Sequence, residues 1–181
     1  MKHLQRDMDN LQRHILSLST MVEEMIDKAT LALSDRRSEL AEEVIQADEE
    51  VDRFEVRIED ECLKLLALHQ PVAIDLRRIA TVLKVNSDLE RIADLAVSVA
   101  QRAQAIHEYA DFPVPDQLDR MVVLTTQMVR GAMDSFVNLD SQAARRILRL
   151  DDEVDQHNRD IIALLQKTMQ EHSDLVPPAL H

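Results

Sequence analysis

Four carboxylates, Asp48, Asp52, Glu55 and Glu59, recur at i, i+4, i+7 and i+11 within QADEEVDRFEVRIED (46–60). On a helix this spacing stacks them along one ridge. Asn86, Glu90 and Asp94 recur every four residues further on, and LDDEVDQ (150–156) supplies Asp151 and Asp155. An all-oxygen set of this kind suits hard or intermediate cations such as Mg, Mn or Fe better than copper or structural zinc. Like charges four residues apart on a helix repel by about 0.2–0.5 kcal/mol per pair, so such a ridge calls for positive charge beside it. Arg53 and Arg91 lie close by in sequence. Two readings therefore stay open: a solvated face paired with arginines, or a cation site.

Other chemistries are excluded by what the chain lacks. A ferritin-type di-metal centre needs Glu-x-x-His on inward faces, and none of the seven histidines (His3, His14, His69, His107, His157, His172, His181) has Glu three residues before it. They share no metal-ligand spacing, and His157, on the same stretch as Asp151 and Asp155, is expected on a helix surface. No Gly-rich phosphate loop, Ser-His-Asp grouping or cysteine motif occurs, so catalysis is not expected. The single cysteine, Cys62, lies in an apolar helical pattern and is expected to be buried and inert. A formal net charge of -13 disfavours binding to nucleic acid or an anionic membrane, and disfavours free phosphate without a bridging cation. With no signal-peptide pattern and no apolar run of membrane-spanning length, the expected protein is cytoplasmic and not inserted in a membrane.

The elements that must carry these residues are helices. One Gly and four aromatics (Phe54, Tyr109, Phe112, Phe136) in a chain rich in Leu, Ala, Glu and Arg predict an all-α fold. Steps of three and four join Leu4, Met8, Leu11, Ile15, Leu18, Val22, Met25, Ala29 and Ala32 into a first helix. A second runs from Leu40 to Leu68, with Ser38 as the expected N-cap and His69-Gln70-Pro71 as the stop. A third carries Val82, Val85, Leu89, Ile92, Ala96, Val99, Ala103 and Ile106 as its seam, with Asn86, Glu90 and Asp94 beside it. DFPVPDQ (111–117) reads as a linker, followed by a helix through Leu118, Met121, Met128, Ala132 and Phe136. The chain turns near Asn138 and Asp140, and one more helix runs through Ile147, Leu150, Val154, Ile161 and Leu165. Gly131 within the fourth helix suggests a close packing contact.

The same acidic block occurs twice because the chain repeats. At the offset of 103 that carries Asp48 to Asp151, Met25 meets Met128, Ala29 meets Ala132, Val44 meets Ile147 and Val51 meets Val154. Residues 1–110 read as one three-helix unit and 111–181 as a second with two helices and the start of a third at PPALH. The last helix of a tandem three-helix repeat is thus expected to be missing, which leaves an apolar groove for a second copy, as a homodimer or by helix exchange.

Asp88-Leu89-Glu90-Arg91-Ile92-Ala93-Asp94, followed by Ala96 and Val99-Ala100, closely resembles the D-L-E-R-I-[AG]-D signature of the PhoU family of phosphate-transport accessory proteins. ADEEVDRFEVRIEDECLKLLA (47–67) and ALHQPVAIDLRRIATVLKVNSDLERIAD (67–94) resemble it along their length. The resemblance implies a six-helix fold in two halves. It implies a cytoplasmic, non-catalytic adaptor that restrains the phosphate-starvation response by contacting the ATPase of the phosphate ABC transporter and the sensor histidine kinase of a two-component system. It also implies surface sites for multinuclear metal clusters, Fe, Mn, Mg or Zn undistinguished, which carries over to Asp48, Asp52, Glu90, Asp94, Asp151 and Asp155. Leu95 and Ser98 depart from the family's polar pattern, and the second counterparts of Glu90 and Asp94 would fall beyond His181.

Overall fold

The computed structural model describes residues 2–109 and 112–180, so Asp111 of the expected linker and His181 of PPALH lie outside the described residues. Helices α1 (Lys2–Ser34), α2 (Ser38–His69) and α3 (Ala73–Ile106) each pack on the other two. The chain continues through α4 (Gln117–Asn138), the short α5 (Ser141–Ile147) and α6 (Leu150–Glu171). A 3-10 turn (Ser173–Leu175) leads into the single-turn α7 (Val176–Ala179), which has proline in its first turn. No strand occurs among the described residues, and no helix is long and apolar enough to cross a membrane.

The apolar steps of α1 become the spine of the core. Leu11, Ile15, Leu18, Val22, Met25, Ala29 and Ala32 are all buried, against Val44, Val51, Ile58 and Cys62 of α2 and Ile79, Val82 and Leu89 of α3. Burial of each large aliphatic side chain contributes about 1.5–3 kcal/mol. The buried face of α3 keeps Val82, Leu89, Ala96, Ala103 and Ile106 of the expected seam but is rotated toward Ile79, Asn86, Ala93 and Ala100, leaving Val85 and Ile92 half-buried and Val99 exposed. The alanines let α3 approach closely, and the rotation draws Asn86, expected beside the seam, into the core at 1% exposure. Cys62 is buried, and burial pushes its thiol up to about 12, as expected of an inert group.

Two turns differ from expectation. Ser38 is not the N-cap of α2: Arg37 occupies that position without a side-chain cap bond, and Ser38 is the first helical residue. The preceding Arg36, at φ 55°, instead reaches across to donate to the carbonyl oxygens of Tyr109 (2.9 Å) and Phe112 (2.5 Å). The last helix is not continuous. It breaks after Ile147, where the N–H of Arg149 bonds to the carbonyl of Arg146 at 3.2 Å, a tightened turn. Ile147 rests directly on Gly131, where an added Cβ would lie 2.9 Å from Ile147 Cγ1, so the close packing contact suggested by the glycine is present. Asp140 caps α5 through bonds from the N–H groups of Gln142 and Ala143, each 2.9 Å.

Helix α4 lies along α1, held by Arg130 Nε donating to Glu23 Oε2 at 2.9 Å and Ser34 Oγ donating to Asp119 Oδ1 at 2.9 Å. Val129 and Met133 face α1 and are buried. The expected seam residues Leu118, Met121 and Met128 are half-buried, and α6 has no fully buried residue. Among the described residues no long helix covers the α4–α6 pair as α3 covers α1 and α2. A groove of about 610 Å³ results, floored by Ala29, Ala96, Met121, Met128 and Val154 among others.

Candidate functional site

The ridges of α2 and α3 meet, as their positions beside the buried seams require. Asp48, Glu55 and Glu90 are half-buried, while Asp52, Glu59 and Asp94 are exposed. Burial first, then the charges of Asp52 and Asp94, hold the Asp48 carboxyl above its usual range. Glu90 is raised by burial and then by Asp94, Asp52 and Asp48. Glu55 is raised by burial and then by Glu59, Glu90 and Asp52. These mutual effects place Asp48, Asp52, Glu90 and Asp94 in one electrostatic cluster, with Glu55 and Glu59 extending it.

Asn86 lies beneath the cluster. Its Nδ2 donates to the Glu55 carbonyl oxygen at 2.9 Å and to Glu55 Oε1 at 3.2 Å, and its Oδ1 is buried without a hydrogen-bond partner. Glu55 belongs to the cluster as firmly as Glu90, although the motif-based set of site residues omits it; its i+7 position from Asp48 was the signal. The arginine pairing proposed for this ridge is not observed. Arg53 Nε donates to the backbone carbonyl of Glu49 at 3.0 Å, and among the described residues no ion pair joins Arg53 or Arg91 to the ridge. Arg53 is drawn along its own helix and so leaves the carboxylates facing one another.

Asp151 and Asp155 do not join this cluster. Both are exposed on α6; Asp155 pairs with Arg159 at 3.8 Å, and Asp151 lines the apolar groove. His157 is not the surface residue expected: it is half-buried, with its Nδ1 enclosed and unpartnered. It lies three residues beyond Val154, on the stripe α6 turns toward α4.

The donor chemistry of the α2–α3 cluster fits a hard cation, as an uncompensated set of carboxylates beside an orphaned amide oxygen. Its geometry is less closed. Among the described residues no group of three or more His, Cys, Asp or Glu side chains is drawn together as a ligand set. The cluster as it stands is an accumulation of negative charge at the junction of two rigid helices.

Comparison with known proteins gives a consistent result. The family profile described as PhoU domain matches residues 15–103 and 118–179. The phosphate-specific transport system accessory protein PhoU of Serratia marcescens is 33% identical over 174 residues, covering 96% of this chain and 72% of that protein. The PhoU homolog of Aquifex aeolicus is 36% identical over 151 residues, covering 83% of this chain and 68% of the relative. Among solved structures, PhoU from Pseudomonas aeruginosa superposes with a TM-score of 0.93 at 30% identity, over 97% of this chain and 85% of that one. The phosphate transport system regulatory protein PhoU from Streptococcus pneumoniae gives 0.87 at 27% identity, over 98% and 83%. Sequence and backbone thus agree over nearly the whole chain: it belongs to the PhoU family.

Proposed function

We propose that the protein is a cytoplasmic, non-catalytic adaptor of phosphate homeostasis that restrains the phosphate-starvation response through contacts with the phosphate transporter ATPase and a sensor histidine kinase. The observation that carries this reading is the match, over nearly the whole of this chain, to proteins named as accessory to, or regulatory of, phosphate transport. A rigid three-helix unit with long solvent-facing helices suits a role exercised by protein contact. The same reading makes the protein a homodimer, with the α4–α6 groove as the contact. The test is a phosphate-starvation reporter in a strain lacking the protein, together with pull-down of the ATPase and the kinase by the purified chain. Constitutive reporter activity in high phosphate, reversed by the wild-type chain, is expected. A reporter that stays repressed without the protein overturns the reading, and sedimentation of a monomer at micromolar concentration overturns the dimer.

A second reading is favoured by the unpartnered Asn86 Oδ1 beneath carboxylates held above their usual range. In it the α2–α3 cluster takes a cation, with Asp48, Asp52, Glu90 and Asp94 as the oxygen donors and Asn86 able to add a neutral one. Asp151 and Asp155 would belong to a separate, weaker site on α6. Elemental analysis of protein purified without chelator or affinity metal tests it. Stoichiometric metal that is lost in Glu90→Ala/Asp94→Ala supports the reading, and metal-free wild-type protein rejects it.

A further inference from the structure

We propose that the cavity between the N-terminal half of α1 and the C-terminal half of α2 binds a phosphate oxyanion, presented as inorganic phosphate or as the phosphoryl group of a small phosphomonoester. This goes beyond the adaptor reading and does not depend on it. The cavity, of about 680 Å³, is lined by Arg13, His14, Arg57 and Lys64, with Leu65 and Leu68 as its apolar side. With Asp7 and Glu61 also in the lining, three fixed cations face two carboxylates, which leaves the cavity net positive in a chain whose formal charge is -13. The long-range field of the surrounding acids is screened over roughly 10 Å, so the local groups decide what binds here.

The two carboxylates in the lining are already engaged. Glu61 meets His14 Nδ1 through Oε2 at 2.6 Å and accepts from Arg57 Nε through Oε1 at 3.2 Å, while Asp7 Oδ2 meets His69 Nε2 at 3.1 Å. Arg57 makes that bond through Nε, leaving its terminal N–H groups outside it, and its guanidinium is seated 5.7 Å over the Phe54 ring. His14 meets the same ring edge-on at 6.0 Å. Phe54, His14, Glu61 and Arg57 thus fix one another in place, which lowers the ordering cost of using Arg57 as a donor. Arg13 has no carboxylate partner among the described residues; its Nη2 donates only to Asn10 Oδ1. Lys64 stands 4.0 Å from Asp60, at the limit of an ion pair.

Two guanidinium groups and an ammonium around one space are the donor set that tetrahedral oxyanions require, since arginine presents paired N–H groups to two oxygens at once. The cavity exceeds what a lone phosphate fills and falls within the range of small-molecule sites, and exposed Leu68 offers an apolar rest for an organic body.

The test is isothermal titration of the full chain at about 0.1 M ionic strength, where the screening length is about 10 Å, with inorganic phosphate, AMP and adenosine, on wild type and on Arg13→Gln/Lys64→Gln. Both substituted residues are exposed, so the variant is expected to melt like wild type, and Arg102→Gln on α3 serves as a control for the loss of a remote cation. Phosphate or AMP is expected to bind with a Kd of about 1 mM or tighter, weakened about tenfold or more in the double variant and little in Arg102→Gln. Equal affinity for phosphate and AMP identifies the free anion as the ligand; tighter AMP with silent adenosine identifies a phosphomonoester. Failure of both phosphates to bind, adenosine binding as well as AMP, or affinities indifferent to Arg13→Gln/Lys64→Gln would each overturn the proposal.

Discussion

Replacing Glu90 by glutamine should make the protein more stable at neutral pH. Glu90 is half-buried and feels the charges of Asp94, Asp52 and Asp48, with no cation paired to it among the described residues. At about 0.2–0.5 kcal/mol for each like-charge neighbour, removing its charge relieves roughly 1 kcal/mol. For a chain of this size that raises Tm by about 2–4 °C. The gain must depend on pH. The folded state holds the Glu90 proton more tightly than the unfolded chain does, so it binds more protons between the unfolded carboxylate pKa and the raised folded one. Stability therefore falls as pH rises through that window. Above it Glu→Gln gains in full, and the gain shrinks toward zero by about pH 4, where carboxylates in both states take up protons. Circular dichroism melts of both proteins at pH 7 and pH 4, in low salt with chelator, read this directly. A variant that melts at or below wild type at pH 7 would refute the argument, because Glu90 would then have a stabilising partner that the structure does not contain.

Gly131→Ala should destabilise: overpacking against Ile147 costs about 1–3 kcal/mol, more than the roughly 1 kcal/mol that alanine gains in helix propensity, and a Gly131→Ala/Ile147→Ala double variant should lose less than the sum of the single variants by denaturant titration. Leu18→Ala, at the centre of the three-helix core, should cost about 3–5 kcal/mol in the same assay. Cys62 should resist a thiol reagent at pH 8 in the native state and react at once in guanidinium, since burial raises its thiol to about 12. Arg36→Ala should leave Tm nearly unchanged while speeding proteolytic cleavage beside Tyr109 and Phe112, whose carbonyls lose their donor.

The sequence carries the helices well where burial is complete. In α1 the spacing from Met8 to Ala32 names the core residue by residue, because a helix between two others shows one narrow stripe to both. It carries α3 less well, since Val99 and Ala100 both satisfy an apolar pattern and packing distance selected the alanine. In α4 the pattern is genuine but its target differs: Leu118, Met121 and Met128 take the places of α1 core residues under the repeat, yet here they line a groove, and Val129 and Met133 make the contact with α1. At the site, spacing alone brings Asp48, Asp52, Glu90 and Asp94 onto facing ridges. It could not say that Arg53 bonds backwards along its own helix, nor that Asn86 turns inward. The cationic cavity was invisible for a simple reason: Arg13 and Lys64 lie fifty-one positions apart on antiparallel helices, and no local pattern pairs them.

Among the described residues helix α1 packs on α2, α3 and α4 and makes the main contact between the two halves. Helices α1 and α2, and α2 and α3, are sequence neighbours joined by short turns, and α3 folds back onto α1, so this part is expected to nucleate early and open last. The α4–α6 pair reaches the rest chiefly through one side of α1, by Val129, Met133 and the Arg130–Glu23 pair. It should behave as a separate cooperative unit, exchanging amide hydrogens by partial openings that leave α1–α3 intact. Anything that seats in its groove would then slow that exchange in α4 and α6 without altering it in α2, and the occupant would be visible as a difference in the clock of one half of the molecule against the other.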